Sequence, residues 1–313
     1  MSCKTLVLCR TPFQAVVVKQ VLKEERIDAY DLVYYTLNNS QEDRFYFSEL
    51  SERAYRTQYL FLKGCRYDIL NHVMVSYKLD LDIKNAAYSR ILVSSVDIMA
   101  FRRMSCKKSV REVISFDDGA AHINPYFNRY TVDSKLMRVR IYEAVFHVPS
   151  KQKFIKNIAR HYSVYPGYQH VMPSECLRYV DLFEFEKNNN CQDGVVSFFI
   201  GQPFSEDGMV DFTKKVESYL HGVGVDYYVR HPRETEILSE GYCLLDKQGR
   251  IAEEAIFEIC KGKRPVIYGT FSSVLINIPA SAADKIMLLS QGDALHRQYA
   301  RLGEKAGCNI VYL

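Results

Sequence analysis

Short apolar runs alternate along the chain with segments of helical spacing. Thr5 to Cys9 is an unbroken apolar run, as a parallel strand buried on both faces requires. Arg10-Thr11-Pro12 ends it, and apolar positions from Phe13 to Lys23 recur at helical intervals. The same reading predicts strands at 32–36, 59–62, 91–94 and 112–116, and helices at 41–55, at 72–88 and between the last two strands. Strand–helix alternation implies a parallel sheet with right-handed crossovers.

Around residues 147–192 the pattern breaks. Pro149, Pro166, Gly167 and Pro173 fall there, followed by a polar, Asn-rich tract, which predicts an inter-domain connection. Beyond it, strands are predicted at 195–200, 225–229, 242–245, 265–268 and 285–289, with helices at 209–220, 251–260 and 272–278, and 309–313 as an edge strand. The expected organisation is residues 1–150 as one Rossmann-like domain, 151–192 as linker and 193–313 as a second Rossmann-like domain. This is α/β architecture, two doubly wound domains with a cleft between them. The length of 313 residues accommodates both.

Composition narrows the partners. Apolar residues are 48% and charged residues 25%, ordinary for a globular chain. A net charge of +4 with no long block of like charges argues against nucleic acid. Two basic clusters, Arg102, Arg103, Lys107, Lys108, Arg111 and Lys151, Lys153, Lys156, Arg160, read either as solvated helix faces or as contacts to an anionic membrane or glycolipid. The nine cysteines are scattered without a C-x-x-C, which suggests neither a disulfide framework nor zinc and fits a reducing cytoplasm. The first apolar run is too short for a signal peptide, and no stretch is long enough to span a bilayer. Asp80-Leu81-Asp82 mimics a metal-holding acidic pair but sits in a charged, helical context and reads as surface.

In open α/β sheets ligands bind beyond the carboxyl ends of strands, so the loops there are the places for chemistry. His231 follows a strand, and Pro232 restricts it to extended geometry. Its imidazole could act as a general acid toward phosphate or merely cap a turn. Ser272 and Ser273 open a predicted helix, where hydroxyls, free N–H groups and the helix dipole make an anion site, or simply an N-cap. Glu206 and Asp207 offer a general base or helix-start decoration. Asp117-Asp118-Gly119 is an acidic strand-end turn, and Glu253 could bind ribose hydroxyls or compensate a helix dipole. Neither a G-x-G-x-x-G after the first strand nor a P-loop is present.

Taken in order, these segments resemble glycosyltransferase family 52. The resemblance rests on Leu8-Cys9-Arg10-Thr11-Pro12-Phe13-Gln14, Phe116-Asp117-Asp118-Gly119, Phe199-Ile200-Gly201-Gln202-Pro203, His231-Pro232-Arg233-Glu234, Ala252-Glu253-Glu254-Ala255-Ile256 and Tyr268-Gly269-Thr270-Phe271-Ser272-Ser273. It implies the GT-B glycosyltransferase fold, with residues 1–150 on the acceptor side and 193–313 binding the nucleotide sugar, and an inverting sialyltransferase that moves sialic acid from CMP-sialic acid to a galactose-terminated, lipid-linked glycan, without metal or cofactor. It implies His231 as acid and Asp207 as base, with Glu206 or Asp118 as alternatives. Gly201, Gln202, Pro232, Arg233, Glu253, Ser272 and Ser273 would bind the donor. A homodimer and peripheral contact with the inner face of the membrane are further expectations. The rivals are an α-glucosyltransferase of the same family using a nucleoside-diphosphate hexose, and a non-catalytic nucleotide- or glycan-binding protein.

Overall fold

The computed structural model describes residues 5–63, 73–78, 87–94, 96–124, 132–133, 135–182, 194–203, 210–231, 234 and 241–313. The chain divides into two compact units, residues 1–182 and 183–313.

In the first unit seven parallel strands lie in the order β3-β2-β1-β4-β5-β6-β7. They are β1 (Thr5–Cys9), β2 (Tyr30–Thr36), β3 (Ala54–Phe61), β4 (Arg90–Val93), β5 (Glu112–Phe116), β6 (Arg160–Ser163) and β7 (Leu177–Tyr179). Helices α1 (Pro12–Glu24), α2 (Gln41–Ser51), α3 (Met99–Ser105), α4 (Met137–Val145) and α5 (Lys151–Lys156) accompany them. Both faces of β1 are buried, which is why its sequence is continuously apolar. Leu6, Leu8, Val33, Ile91, Val93 and Phe101 join one core. Of the helix expected over 72–88, residues 73–78 are helical and 87–88 are not; Asp80 and Asp82 lie outside the described residues.

The expected linker is corrected here. Residues 151–182 hold α5, β6 and β7, and the last two extend the first sheet. Strand β6 escaped a hydrophobic reading because its residues are Arg-His-Tyr-Ser, buried but polar. The basic clusters are also only partly solvated. Arg102 is buried, donating to Glu143 Oε1 at 2.6 Å and to the Pro149 carbonyl at 2.8 Å. Lys151 is buried too and donates to the Val132 carbonyl. The six described cysteines are free thiols, and Cys9 packs as a small apolar group.

The second unit is a six-stranded parallel sheet in the order β10-β9-β8-β11-β12-β13. Its strands are β8 (Val195–Ile200), β9 (Tyr227–Val229), β10 (Cys243–Leu244), β11 (Arg264–Gly269), β12 (Asp284–Leu289) and β13 (Asn309–Tyr312). Helices α6 (Val210–Val223), α7 (Ala252–Cys260), α8 (Ser273–Asn277) and α9 (Ala294–Lys305) complete it. The C-terminal residues form the expected edge strand, paired with β12. From β8 the chain winds outward through β9 and β10, then crosses back to β11 on the other side of β8. The order therefore reverses between β8 and β11, the switch point where such sheets bind ligands.

Candidate active site

Three candidate loops leave neighbouring strands of the second sheet in register. Ile200 pairs with Val229 on one side and with Gly269 on the other. Val229 and Gly269 are thus separated by two strand spacings, about 10 Å. Gly201, His231 and Ser272 come one, two and three residues after Ile200, Val229 and Gly269, so their loops share the carboxyl edge of β9, β8 and β11.

His231 is fixed by Glu234, three residues further along in H-P-R-E. The His231 N–H donates to Glu234 Oε2 at 3.1 Å, and the Glu234 N–H donates to the His231 carbonyl at 3.0 Å. The Tyr228 hydroxyl donates to Glu234 Oε1, and Arg230 donates to the Glu234 carbonyl at 3.0 Å. Glu234 is buried; desolvation pushes its carboxyl up, against the opposing pull of the Tyr228 and His231 hydrogen bonds. Gly201 sits over this pair. A Cβ there would meet the Glu234 carboxylate and come within 2.8 Å of the Tyr228 hydroxyl, so the backbone bend at the end of β8 requires glycine. Sequence reasoning noted the H-P-R-E motif but gave Glu234 no role; its signal was a carboxylate closing a strand-end motif.

Ser272 and Ser273 open α8. Ser272 is the N-cap, its hydroxyl accepting from the Val274 N–H at 3.3 Å, and it is buried, while Ser273 is exposed. Glu253, in the first turn of α7, accepts from Asn277 Nδ2 at 2.6 Å, which joins the acidic helix start to the serine helix. Burial pushes the Glu253 carboxyl up. Lys285 of β12 is buried beneath α8 and donates to the Leu275 and Ile278 carbonyls at 2.9 and 2.6 Å. Those carbonyls end the short helix, so a lysine satisfies them and fixes the helix in place. Gln202 is half-buried beside buried Gly201 and Pro203. Glu206, Asp207, Pro232 and Arg233 lie outside the described residues.

In the first unit, Asp117 and Asp118 part company. Asp117 is buried at the end of β5 and accepts four hydrogen bonds: from His161 Nε2 at 3.0 Å, His170 Nε2 at 3.2 Å, the Ser163 hydroxyl at 2.8 Å and the Val164 N–H at 2.8 Å. Desolvation would raise its carboxyl, but these donors hold it well below the usual carboxylate range. Asp117, His161 and His170 bring ligand atoms within 4.8 Å of one another, as a metal site would. The backbone N–H groups that face the ring nitrogens fit a hydrogen-bond cluster. The Met172 N–H donates to His170 Nδ1, so that nitrogen carries the lone pair and Nε2 the proton. The Asp118 N–H fixes His122 in the same tautomer, and Ser115 bonds His161 Nδ1. Asp118 points elsewhere: its Oδ1 accepts from Gln14 Nε2.

The chain is 26% identical over 284 residues to an N-acetyllactosaminide alpha-2,3-sialyltransferase of Haemophilus influenzae, covering 87% of this chain and 88% of that one. It is 21% identical over 276 residues to a CMP-N-acetylneuraminate:beta-galactoside alpha-2,3-sialyltransferase of Pasteurella multocida, covering 87% and 86%. Among solved structures, an alpha/beta-galactoside alpha-2,3-sialyltransferase from Photobacterium phosphoreum superposes with a TM-score of 0.56 at 12% identity, over 99% of this chain and 98% of that one, a likeness of fold. With two parallel-sheet α/β domains and this neighbour, the fold is GT-B. The model of glycosyltransferase family 52 matches residues 17–292, and the chain belongs to that family.

Proposed function

We propose that the protein is a sialyltransferase that moves sialic acid, with inversion, from CMP-sialic acid to a galactose-type hydroxyl of a cell-surface glycan, and that no metal takes part. The relatives' names support the chemistry. The observation that carries the site is the shared edge: His231, Gly201 and Ser272 on three adjacent strands at the switch point of the second sheet.

In this reading Asp207 takes the proton from the acceptor hydroxyl as its oxygen bonds the anomeric carbon. The bond from that carbon to the phosphate oxygen breaks, its electron pair stays on the phosphate, and His231 delivers a proton there. Each of these roles contributes about 10²–10⁴ in rate. Ser272 and Ser273 hold the phosphate, with the first N–H groups of α8 behind them. Glu253, oriented by Asn277, takes the ribose hydroxyls. Gly201 permits close approach, and Gln202, Pro232 and Arg233 line the donor's path. Phosphate in CMP is a monoester to ribose, so protonation and hydroxyl donors can neutralise the leaving group. A single displacement gives inversion. Glu206 is the local alternative base, and Asp118, in the first unit, the second alternative.

Nucleotide release from CMP-sialic acid and from UDP-glucose, measured side by side with EDTA present, tests the reading. CMP release that persists in EDTA supports it. Release of UDP alone indicates the α-glucosyl reading, and thermal stabilisation by CMP without turnover indicates a binding protein.

A further inference from the structure

We propose that Tyr299 is a positioning residue for the leaving phosphate: its ring holds Phe271 in place, and Phe271 holds the Ser272 hydroxyl beside it. Three residues, Thr270, Phe271 and Ser272, join β11 to α8. Thr270 and Ser272 are buried, and Phe271 between them is half-buried. Among the described residues, neither Thr270 nor Phe271 makes a backbone hydrogen bond of its own. The middle of the turn is therefore held by the Phe271 side chain. That ring lies flat on Tyr299 of α9, with centroids 3.9 Å and planes 9° apart. A tight strand-to-helix turn needs no aromatic residue for its backbone, since small and polar residues serve there. The close stack gives the ring a use, which is to tie the turn to a neighbouring helix.

Tyr299 itself stands on rigid support. Phe212 of α6 shares a core with Leu288, whereas Gly303 of α9 lies against Met287. Met287 and Leu288 are consecutive on β12 and face opposite ways, so α6 and α9 cover opposite faces of the sheet. Phe212 nonetheless meets His296 of α9 edge to face, centroids 5.1 Å apart, a contact made beyond the end of β12. His296 is buried there, and its Nδ1 accepts from the N–H of Ser290, the first residue after β12, at 2.7 Å. Asp293 caps the same turn, accepting from the Leu295 and His296 N–H groups at 2.7 and 3.0 Å. Tyr299 follows about one helical turn after His296, ring centroids 6.1 Å apart. Gly269 pairs with Met287, so the loops after β11 and β12 leave the same edge side by side. A fixed helix thus presents a ring to the turn that carries the serine hydroxyl, and a preorganised donor binds more tightly than one ordered at each encounter. Tyr299 has this role only if Ser272 holds the phosphate, as proposed above.

Titration calorimetry with CMP and with cytidine tests it, on wild type, Tyr299→Leu, Tyr299→Phe and Ser272→Ala. Cytidine lacks the phosphate, so disturbing the phosphate's holder should spare it. Tyr299→Leu should weaken CMP about threefold to tenfold and leave cytidine unchanged. Tyr299→Phe keeps the ring and should keep the wild-type affinity for CMP. Ser272→Ala should weaken CMP at least as much as Tyr299→Leu does. Should Tyr299→Leu fail to fold, Phe271→Leu opens the same stack from its other side and is expected to give the same pattern. Loss of CMP and cytidine affinity together in Tyr299→Leu marks a general loosening of the fold and overturns the proposal, as does a Tyr299→Phe protein as weak as Tyr299→Leu. Wild-type CMP binding in Tyr299→Leu, beside weakened binding in Ser272→Ala, overturns the positioning role and leaves the phosphate reading standing. Unchanged CMP binding in Ser272→Ala removes the phosphate reading and the positioning role with it.

Discussion

Gln14 and Asp118 are hydrogen-bonded across 104 residues of sequence, the amide of one donating to the carboxylate of the other. Gln14 is also the third residue of α1, where its Oε1 accepts from the Thr11 N–H at 3.2 Å and its own N–H donates to Thr11 Oγ1 at 3.3 Å. One amide thus completes a capping box and anchors the acidic turn after β5. Gln14→Met keeps the volume and removes both side-chain bonds. It is expected to cost about 1–3 kcal/mol of stability, read from urea denaturation.

The buried histidines make stability depend on pH. Burial lowers the affinity of His122 and His161 for a proton below the ordinary value near 6.5, so both are neutral in the folded chain. Once unfolded they protonate as pH falls through 6.5, and the unfolded state then binds more protons. Stability is therefore full above that pH and declines below it. Each histidine that stays neutral in the folded chain loses at most about 1.4 kcal/mol per pH unit below that value. Asp117, held low, adds a further loss only under stronger acid, below its unfolded value near 3.8. Denaturant midpoints measured across this range check the slope.

Gly201→Ala sets a methyl group against the Glu234 carboxylate and the Tyr228 hydroxyl. Overpacking of this kind costs about 1–3 kcal/mol. Since Glu234 also fixes the His231 backbone, turnover is expected to fall along with the melting temperature. A variant with wild-type melting and wild-type turnover would show that the bend has room to spare.

Lys285→Met removes the ammonium shared by the Leu275, Ile278 and Ala306 carbonyls, leaving Leu275 only the long Cys308 thiol contact. Each unsatisfied carbonyl costs about 1–3 kcal/mol. Calorimetry should show the loss, and weaker CMP binding should accompany it, because the same lysine fixes the helix that Ser272 caps.

His231→Ala is expected to lower turnover by about 10²–10⁴ with the fold intact. Among the three candidate bases, Asp207→Asn should cost a similar factor, whereas Glu206→Gln and Asp118→Asn should cost much less. Steady-state rates with a saturating acceptor distinguish them.

Strands and motifs were legible where a side chain's chemistry matched its burial. Thr5–Cys9 and Val195–Ile200 read as buried strands because apolar runs have few other uses, and both are strands. Arg160–Ser163 did not, because its buried positions, His161 and Ser163, are polar and spend their hydrogen bonds on Asp117. Single-sequence pattern has no means of pairing a histidine with a carboxylate 44 residues away. Likewise His231, Gly201 and Ser272 could each be picked as strand-end residues. That their strands are neighbours in register came only from the sheet order. Glu234, which holds His231, Lys285, which holds the helix that Ser272 caps, and Asn277, which holds Glu253, act through contacts that local sequence does not display.

The most direct test is mass spectrometry of the products formed from CMP-sialic acid and N-acetyllactosamine, with wild type beside His231→Ala. The account predicts a trisaccharide heavier than the acceptor by one sialic acid residue, matched by CMP, from wild type, and little of either from the variant. An unmodified acceptor with CMP-sialic acid left intact, or equal product from both proteins, would contradict it.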